Sequence, residues 1–523
     1  MDRKAPADEG QSQKQTERFL SGVLWSWVGV ATSLVSALVL APVMIRTLGA
    51  ERYGLWALAF SLVEYFFVFD LGFRSAVVNQ NSHFWAKRDY GRINEVINTA
   101  LAYFLGIGAL IMTLAVLFAG EVHRFFIIRA EYRPAFALLV LIIGISWALG
   151  MICNTFQASL EAFQQFKTQS RIFVATSFLR TGGCLIILWT GGGLEQLGWM
   201  VVVAQVTGYG LTALALKRVL PQWRLSRRYV STERWRVLVS YGLSSFAANT
   251  AQLFLGQGPA VMVGHYRPEA YVGYYGLPSR LMQAVVDGLT RIGFVTAPNT
   301  AQMLAEGRRH QVAEMGMHLN RYCFALFLPV CVFLWFYGAE LLTVWVGPAM
   351  AAQSAPLLLP VALGNALALA AQFNSSSILF GLAQHHGFAR NAVLEALLLC
   401  GGLTVMIPRH GILGAAWLVA GLMVINRGVA TPWLLCRHLE FSFFKYMSFI
   451  YIRPLLAAVP AVLMGLSLRA AGLVGRSLPE LALAGGLITL AMLAAAWGLC
   501  LEGEHRAMLR GWLGRLVTAL LAA

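Results

Sequence analysis

Charge is scarce in this chain, and negative charge is scarcer than positive charge. Only 12% of its 523 residues are charged, with 24 acidic side chains against 40 basic ones, while 58% of the residues are hydrophobic. The mean hydropathy is +0.65. Soluble domains cannot bury that much apolar surface. The shortage of charge therefore excludes a soluble protein and predicts an integral membrane protein.

Motifs for covalent chemistry and for metal binding are also missing. The seven cysteines form no C-x-x-C pair and fall within apolar stretches, so we interpret them as packing residues. The sequence has no P-loop, no H-E-x-x-H and no Ser-His-Asp signature. The glycine-rich GGGLEQLG at 191–198 lacks the Lys and Ser or Thr of a phosphate loop. We therefore predict that the chain is not an enzyme and holds no cofactor and no metal.

Long apolar stretches, by contrast, are abundant. A helix needs about 20 apolar residues to cross a bilayer, and we count about fourteen such stretches. The two tails and the even-numbered loops hold most of the Lys and Arg residues, which concentrate on the cytoplasmic side of membranes. We therefore predict an all-α polytopic membrane protein of about 14 transmembrane helices with both termini cytoplasmic. The net charge of +16 then reflects topology, and no nucleic acid is expected as a partner.

The two halves of the chain repeat each other. The segment APVMIRTLGAERYGLWAL at 41–58 aligns with GPAVMVGHYRPEAYVGYYGL at 258–277, so that Glu51 matches Glu269. The offset covers an even number of predicted helices, and both copies therefore enter the membrane in the same orientation. Parallel repeats of this kind place the substrate path of a transporter between them. We predict two parallel-repeat six-helix lobes and two appended C-terminal helices.

These elements divide the chain into predicted segments. They are a polar cytoplasmic tail (1–18), an N-terminal lobe (19–216), a basic cytoplasmic linker (217–236), a C-terminal lobe (237–436), two appended transmembrane helices (437–502) and a cytoplasmic tail (503–523). The linker, KRVLPQWRLSRRYVSTERWR, is the longest basic loop. Its charge reflects either topology and attraction to anionic lipids or the docking of a phosphate-bearing substrate or a cytoplasmic partner.

Several charged residues interrupt the predicted spans. An ionisable side chain near a helix centre costs about 2.5–3.5 kcal/mol on insertion scales and usually faces a bundle interior or a wet cavity. Asp70 and Arg74 lie four residues apart, and Asp287 and Arg291 share that spacing, so each couple can pair on one helical face. Arg280 falls on the same stripe as the second couple. Arginines exceed acids in the spans, which predicts a net positive cavity suited to phosphate.

The charged and polar residues within spans supply the candidate site. The candidate substrate-binding residues of the cationic cavity are Arg74, Arg280, Arg291 and Arg180, and the candidate charge partners or ion relays are Asp70, Asp287 and Glu64. The candidate polar path consists of Asn249, Gln252 and Gln257. Alternatively, the charges are internal ion pairs that hold the lobes together and the amides are interhelical hydrogen bonds. Arg427 and Glu395 also fall within spans.

The segment TLGAERYGLWALAFSLVEYFFVFDLGFRSAVV resembles the bacterial polysaccharide flippases, the Wzx-type members of the multidrug/oligosaccharidyl-lipid/polysaccharide exporter superfamily. The residues that carry this resemblance are Leu48, Gly49, Glu51, Tyr53, Gly54, Asp70 and Gly72. The resemblance implies two lobes around a central cationic cavity that opens alternately to each side of the bacterial cytoplasmic (inner) membrane. The implied substrate is a polyprenyl-pyrophosphate-linked oligosaccharide for cell-surface or exopolysaccharide synthesis. Membrane lipids, a polysaccharide polymerase and glycosyltransferases are the other expected partners.

Two other functions stay open. A cation-coupled multidrug antiporter of the same superfamily would favour an acidic cavity, whereas this one is net basic. A membrane glycan polymerase or ligase would need a substantial outer loop with catalytic Arg, His or Asp. The longest predicted outer loop, at 121–134, is short but carries charged residues of those kinds.

Overall fold

The structure is a computed structural model that describes residues 6–293, 300, 303, 306–372, 374–382, 385–508 and 510–511. All regular secondary structure in these ranges is helical, and ten helical stretches are long and apolar enough to cross a membrane. Two of the ten contain a break, at Gly49 and at Gly411, where the backbone leaves the helical conformation. The predicted all-α membrane class is therefore confirmed, while the exact number of spans stays a prediction.

The helices follow one another along the chain in the order given below. In the first part they are α1 (Pro6–Glu64), α2 (Phe73–Ala86), α3 (Tyr90–Phe118), α4 (Arg133–Ala162), α5 (Phe166–Trp189), α6 (Leu194–Val219), α7 (Thr232–Tyr266) and α8 (Glu269–Gly293). In the second part they are α9 (Arg309–Val346), α10 (Pro348–Gln372), α11 (Ser375–Gly381), α12 (His385–Met423), α13 (Thr431–Leu439), α14 (Phe443–Ala470) and α15 (Leu478–Leu499). A 3-10 helix (Tyr65–Asp70) follows α1, and a π-helix (Val424–Ala430) joins α12 to α13.

The chain divides into two compact units, one up to Gly273 and one from Tyr274. Within the first unit, α4 packs on α1, α2, α3, α5 and α6. Within the second unit, α9 packs on α10, α14 and α15. The two C-terminal helices therefore rest against α9. The division into two six-helix lobes joined by a linker at 217–236 stays a prediction.

The second predicted span is broken in its middle. Leu71 (φ 46°) and Gly72 (φ 76°) adopt left-handed backbone, and α2 begins directly after them. Glycine adopts this conformation freely, but for a leucine it costs about 1–2 kcal/mol. The ring of Phe73 stacks on that of Tyr103 with centroids 3.8 Å apart, and the Tyr103 hydroxyl donates to the Phe69 carbonyl at 2.6 Å. These contacts hold the break in place, and strained backbone of this kind concentrates at functional sites.

The two copies of the repeated motif contact each other in the first unit. A Cβ atom added to Gly54 would lie 1.9 Å from the carbonyl oxygen of Glu269, the first residue of α8. Arg129 lies between the copies, with Nη2 3.4 Å from Oε1 of Glu51 and Nε 3.6 Å from Oε1 of Glu269. We call Arg129, Glu51 and Glu269 the Arg129 clasp. The two glutamates that the repeat matches thus share one arginine.

Replacing Gly54 by alanine is expected to destabilise the protein, because the new methyl group would overlap a backbone carbonyl that no side-chain rotation can move. We expect the free energy of unfolding to fall by about 1–3 kcal/mol, measured as a lower melting temperature of the detergent-solubilised protein. Gly106→Ala is the matched control, since nothing lies within 4 Å of a Cβ atom at Gly106. Equal melting temperatures for the two variants would contradict the close approach of α1 to α8.

Candidate functional site

Arg74 is the first charged side chain after the break. It lies in the first turn of α2 and reaches α4, where its Nη2 lies 2.8 Å from Oε2 of Glu161 and its Nη1 donates to Oε1 of Gln157 at 3.2 Å. The side chains of Arg74 and Glu161 are 33% and 35% exposed. An ion pair with that exposure contributes about 1 kcal/mol or less. An external anion can therefore compete with Glu161 for the guanidinium.

The predicted ion pair between Asp70 and Arg74 is wrong. The prediction assumed one continuous helix, whereas the break at Leu71 and Gly72 removes the four-residue register. Asp70 lies near the charge of Arg74 and faces the backbone N–H groups of Gly72 and Arg74, but Arg74 pairs with Glu161. The Asp70 side chain is buried, and its Oδ1 accepts no hydrogen bond from the residues that the structure describes. A carboxylate at this position interacts favourably with the positive N-terminal end of α2.

A polar stripe runs along α2 from Arg74. Ser75, Asn79 and His83 recur every four residues and are exposed, while the opposite side of the helix is buried. An exposed face of a membrane helix meets lipid or water, and unpaired polar groups are costly in lipid. We therefore interpret this stripe as one wall of a water-filled path. Sequence reasoning missed it, although the polar spacing within SAVVNQNSHF was the available signal.

Two predicted residues meet elsewhere in the first unit. The amide of Gln257 on α7 donates a hydrogen bond to the carboxylate of Glu64 on α1. For Gln257 the structure therefore shows the interhelical hydrogen bond that was one of the two alternatives. Gln252 on α7 is exposed. The side chain of Asn249 lies outside the described residues.

The remaining predicted charges lie on α5 and α8. Arg180 on α5 is half-buried, and the described residues offer it no carboxylate within 4.0 Å. On α8, Arg280 and Asp287 are exposed, and the Gln283 amide donates to Oδ1 of Asp287 at 2.7 Å. The side chain of Arg291 lies outside the described residues, so its pairing with Asp287 stays a prediction.

The second unit holds an enclosed ion pair that was not predicted as a site. Glu395 on α12 has a side chain only 2% exposed, and its Oε1 lies 3.4 Å from Nε of Arg427. Its Oε2 accepts a hydrogen bond of 2.6 Å from the Asn426 amide. Asn426 and Arg427 belong to the π-helix, an element that is frequent at functional positions. Because removing either charge would leave the other buried and unpaired, we interpret this pair as structural.

Three side chains of the second unit have the chemistry of a metal site. The ligand atoms of His318, Glu502 and His505 lie within 4.8 Å of one another. The fully buried Arg321, however, hydrogen-bonds to Nδ1 of His318 at 3.1 Å and pairs with Glu502 at 3.3 Å. This guanidinium occupies two of the three ligands and repels a cation. We therefore interpret the cluster as the contact that attaches the segment after α15 to α9.

Comparison with known proteins identifies the family. The model of a family described as "Polysaccharide biosynthesis protein" matches residues 43–351, more than half of the chain. The chain belongs to this family. The matched range contains Arg74, Glu161, residues 43–58 of the first copy of the repeated motif and all of the second copy. The resemblance to the polysaccharide flippases, drawn from the motif of the first two spans, is thereby confirmed.

The chain is similar over most of its length to proteins named as transporters or as a flippase. It is 20% identical over 428 residues to a Shigella flexneri protein named "Putative O-antigen transporter", across 79% of this chain and 97% of that one. A solved multidrug resistance transporter of the MATE family and MOP superfamily, in an inward-facing conformation, matches with a TM-score of 0.68 and 14% identity, over 78% of this chain and 96% of that one. The lipid II flippase MurJ, in an inward closed conformation, matches with a TM-score of 0.67 and 12% identity, over 91% and 98%. At such identities these structures show a shared fold.

The water-filled path predicts the reactivity of a cysteine placed on the stripe. In a version of the chain whose seven native cysteines are replaced by alanine, Ser75→Cys is expected to react with a membrane-impermeant maleimide, because the thiolate that reacts forms in water and not in lipid. The matched control is Leu105→Cys, whose position is 51% exposed on the apolar surface of α3, two residues after the ring that stacks on Phe73. We expect no reaction at Leu105→Cys. Equal labelling of both variants would exclude a wet stripe.

Proposed function

We propose that this chain flips polyprenyl-pyrophosphate-linked oligosaccharide across the bacterial cytoplasmic membrane by alternating access, for cell-surface or exopolysaccharide synthesis. The observation that carries the proposal is Arg74 at the head of an exposed polar stripe, held by a carboxylate that is itself about one third exposed. Family membership and the similarity to an O-antigen transporter and a lipid II flippase support the substrate class.

Binding of the diphosphate is an exchange of anions at Arg74. The guanidinium is planar, always charged and able to donate two parallel hydrogen bonds to a phosphate. Its pair with Glu161 is open to solvent and therefore weak. A diphosphate that carries more charge than a carboxylate displaces Glu161, and Gln157 keeps the guanidinium in place through Nη1. Arg180, Arg280 and Arg291 are the candidates for further phosphate contacts during transport.

The stripe of α2 gives the sugars their surface. Ser75, Asn79 and His83 are exposed side chains that hydrogen-bond hydroxyl groups, while the polyprenyl tail remains in the lipid. Flipping neither forms nor breaks a covalent bond, so the mechanism uses no catalytic residue and no cofactor. Transport requires only that the path open alternately to the two sides of the membrane.

The Arg129 clasp is the element of the first unit that suits such a change. It joins the two copies of the repeated motif through an arginine whose side chain is 58% exposed. The pair with Glu51 is partly exposed and therefore weak, whereas the side chain of Glu269 is 1% exposed. Opening the clasp leaves that buried carboxylate without its cation, so the clasp favours the closed state until water enters the path. With both termini in the cytoplasm it lies on the outer side. We propose that it closes the outer end of the path while the substrate enters from the inner leaflet.

One observation favours the antiporter as a second candidate. Asp70 is a buried carboxylate with one oxygen that none of the described residues hydrogen-bonds, and such a group suits a coupling ion. Under the flippase proposal, Asp70, Glu64 and Asp287 are instead candidate ion relays that drive the cycle. Transport of an organic cation dye into proteoliposomes, responsive to a proton or sodium gradient, would favour the antiporter.

Loss of Arg74 is expected to stop export. In a strain that depends on this chain for its surface polysaccharide, Arg74→Gln should lower polymer export by about tenfold or more, since a charge-assisted phosphate contact is lost. Lipid-linked oligosaccharide should accumulate on the cytoplasmic side, measured by its inaccessibility to a periplasmic glycosidase. Arg218→Gln is the matched control, because Arg218 is an equally basic, exposed residue at the end of α6.

Two outcomes would contradict the proposal. Normal export by Arg74→Gln at normal expression and insertion would remove the cationic site. Accumulation of unpolymerised units that have already reached the periplasmic side would indicate a polymerase or ligase.

A further inference from the structure

A second polar site lies at the other end of α2. A cavity of about 670 Å³ opens where the end of α2 meets the beginnings of α3 and α7, and we call it the α2-end cavity. Its lining consists of Asn79, Gln80, Ser82, His83, Phe84, Arg92 and Arg234. The volume falls within the range of about 300–1,000 Å³ that is typical of ligand pockets. The prediction from charge places this end of the helices on the cytoplasmic side.

Two arginines converge in this cavity on one aromatic ring. The Cζ atoms of Arg92 and Arg234 lie 5.6 Å and 5.1 Å from the ring centroid of Phe84, which is buried. Cation–π contacts of this kind hold guanidinium groups in position while their N–H groups remain donors. The cavity therefore presents two oriented positive charges beside the amides of Asn79 and Gln80.

The acidic partners of both arginines lie outside the lining. Arg234 pairs with Glu95 at 3.2 Å and with Glu233 at 3.5 Å, and Arg92 pairs with Asp89 at 3.4 Å. None of these carboxylates lines the cavity. The side chain of Arg234 is 11% exposed and that of Arg92 is 56% exposed. Arg234 is thus largely enclosed in the cavity wall, whereas Arg92 is open to a ligand that arrives from solvent.

The linker that leads to Arg234 is held in place by α3. The Asn98 amide donates to the Arg224 carbonyl at 3.0 Å and accepts from the Ser226 N–H at 2.9 Å. The hydroxyl of Thr99 accepts from the Ser231 N–H at 3.0 Å. These bonds fix the start of α7, so the cavity is formed before any ligand arrives. Preformed sites bind without a large ordering cost.

We propose that the α2-end cavity is a phosphate-binding site at the membrane surface, separate from Arg74. Arg92 lies in the first turn of α3, whereas Tyr103, which packs beside the start of α2, lies about 16 Å farther along that helix at 1.5 Å per residue. A phosphate entering from this side meets the cavity first. Its source is either the diphosphate of the lipid-linked substrate, which rests on the proposed function, or the phosphate of an anionic phospholipid, which does not.

Titration with inorganic pyrophosphate tests the site. The full chain in detergent carries Arg74→Gln throughout, so that the phosphate contact proposed for Arg74 is absent, and binding is followed by calorimetry. Arg92→Gln, and Gln80→Glu, which places a negative charge in the lining, should each weaken binding by about tenfold. Arg88→Gln should change it by less than about twofold, because exposed charges outside the lining act weakly. Arg88 is exposed, lies in the connection between α2 and α3, and does not line the cavity.

The same titration in nanodiscs separates the two sources of phosphate. If phosphatidylglycerol in phosphatidylcholine nanodiscs lowers pyrophosphate binding to the chain but not to its Arg92→Gln form, a lipid phosphate occupies the cavity. If it does not, the cavity is reserved for the diphosphate of the substrate. Pyrophosphate binding that is absent, or that is equal in Arg92→Gln, Gln80→Glu and the parent, would overturn the site. Loss of export in Arg74→Gln alone would then still support the proposed function.

Discussion

A charge within a membrane protein must be paired, hydrated or enclosed, because hydrocarbon offers it no partner. This constraint is met in two ways here. Glu395 and Arg427 are largely enclosed, with side chains 2% and 18% exposed, and they neutralise each other. Arg74 and Glu161 each keep about a third of the side chain exposed. We therefore interpret the enclosed pair of the second unit as structural, and the more exposed pair of the first unit as open to competition from an anion.

Departures from regular helix decide which charges meet. The left-handed residues Leu71 and Gly72 turn Arg74 away from the register of Asp70 and toward α4. Farther toward the N-terminus, Gly54 lets α1 approach the first residue of α8 so closely that Glu269 comes within reach of Arg129. In both places a glycine permits the local geometry, and a contact between charged residues follows from it.

The basic linker shows how one segment can serve both topology and recognition. Its positive charge accords with the excess of Lys and Arg in cytoplasmic loops. That excess requires no particular conformation of the loop. Asn94 and Asn98 nevertheless hold its backbone through hydrogen bonds to residues more than a hundred positions away, among them Arg224. A segment fixed in this way presents its arginines in set positions. Ordering a backbone costs conformational entropy, which suggests that the fixed positions of these arginines serve a function.

Sequence alone was enough for the membrane class, the family and the repeat. Hydropathy depends only on local composition, and the motif of the first two spans is contiguous, so neither requires knowledge of which helices touch. The assignment of Arg74, Asp70, Glu64 and Gln257 to the substrate path stays a prediction. The spacing rule that paired Asp70 with Arg74 failed because it assumed a continuous helix.

Only the tertiary structure decided which of these residues act together. Glu161, the partner of Arg74, lies 87 residues away and next to the end of α4, where nothing in its neighbourhood of the sequence distinguishes it. The α2-end cavity draws its arginines from α3 and α7, and its ring from α2. Such sites depend on long-range packing, which brings side chains together irrespective of their separation in sequence. Local periodicity carries no record of that packing, and the site therefore emerges only in the folded chain.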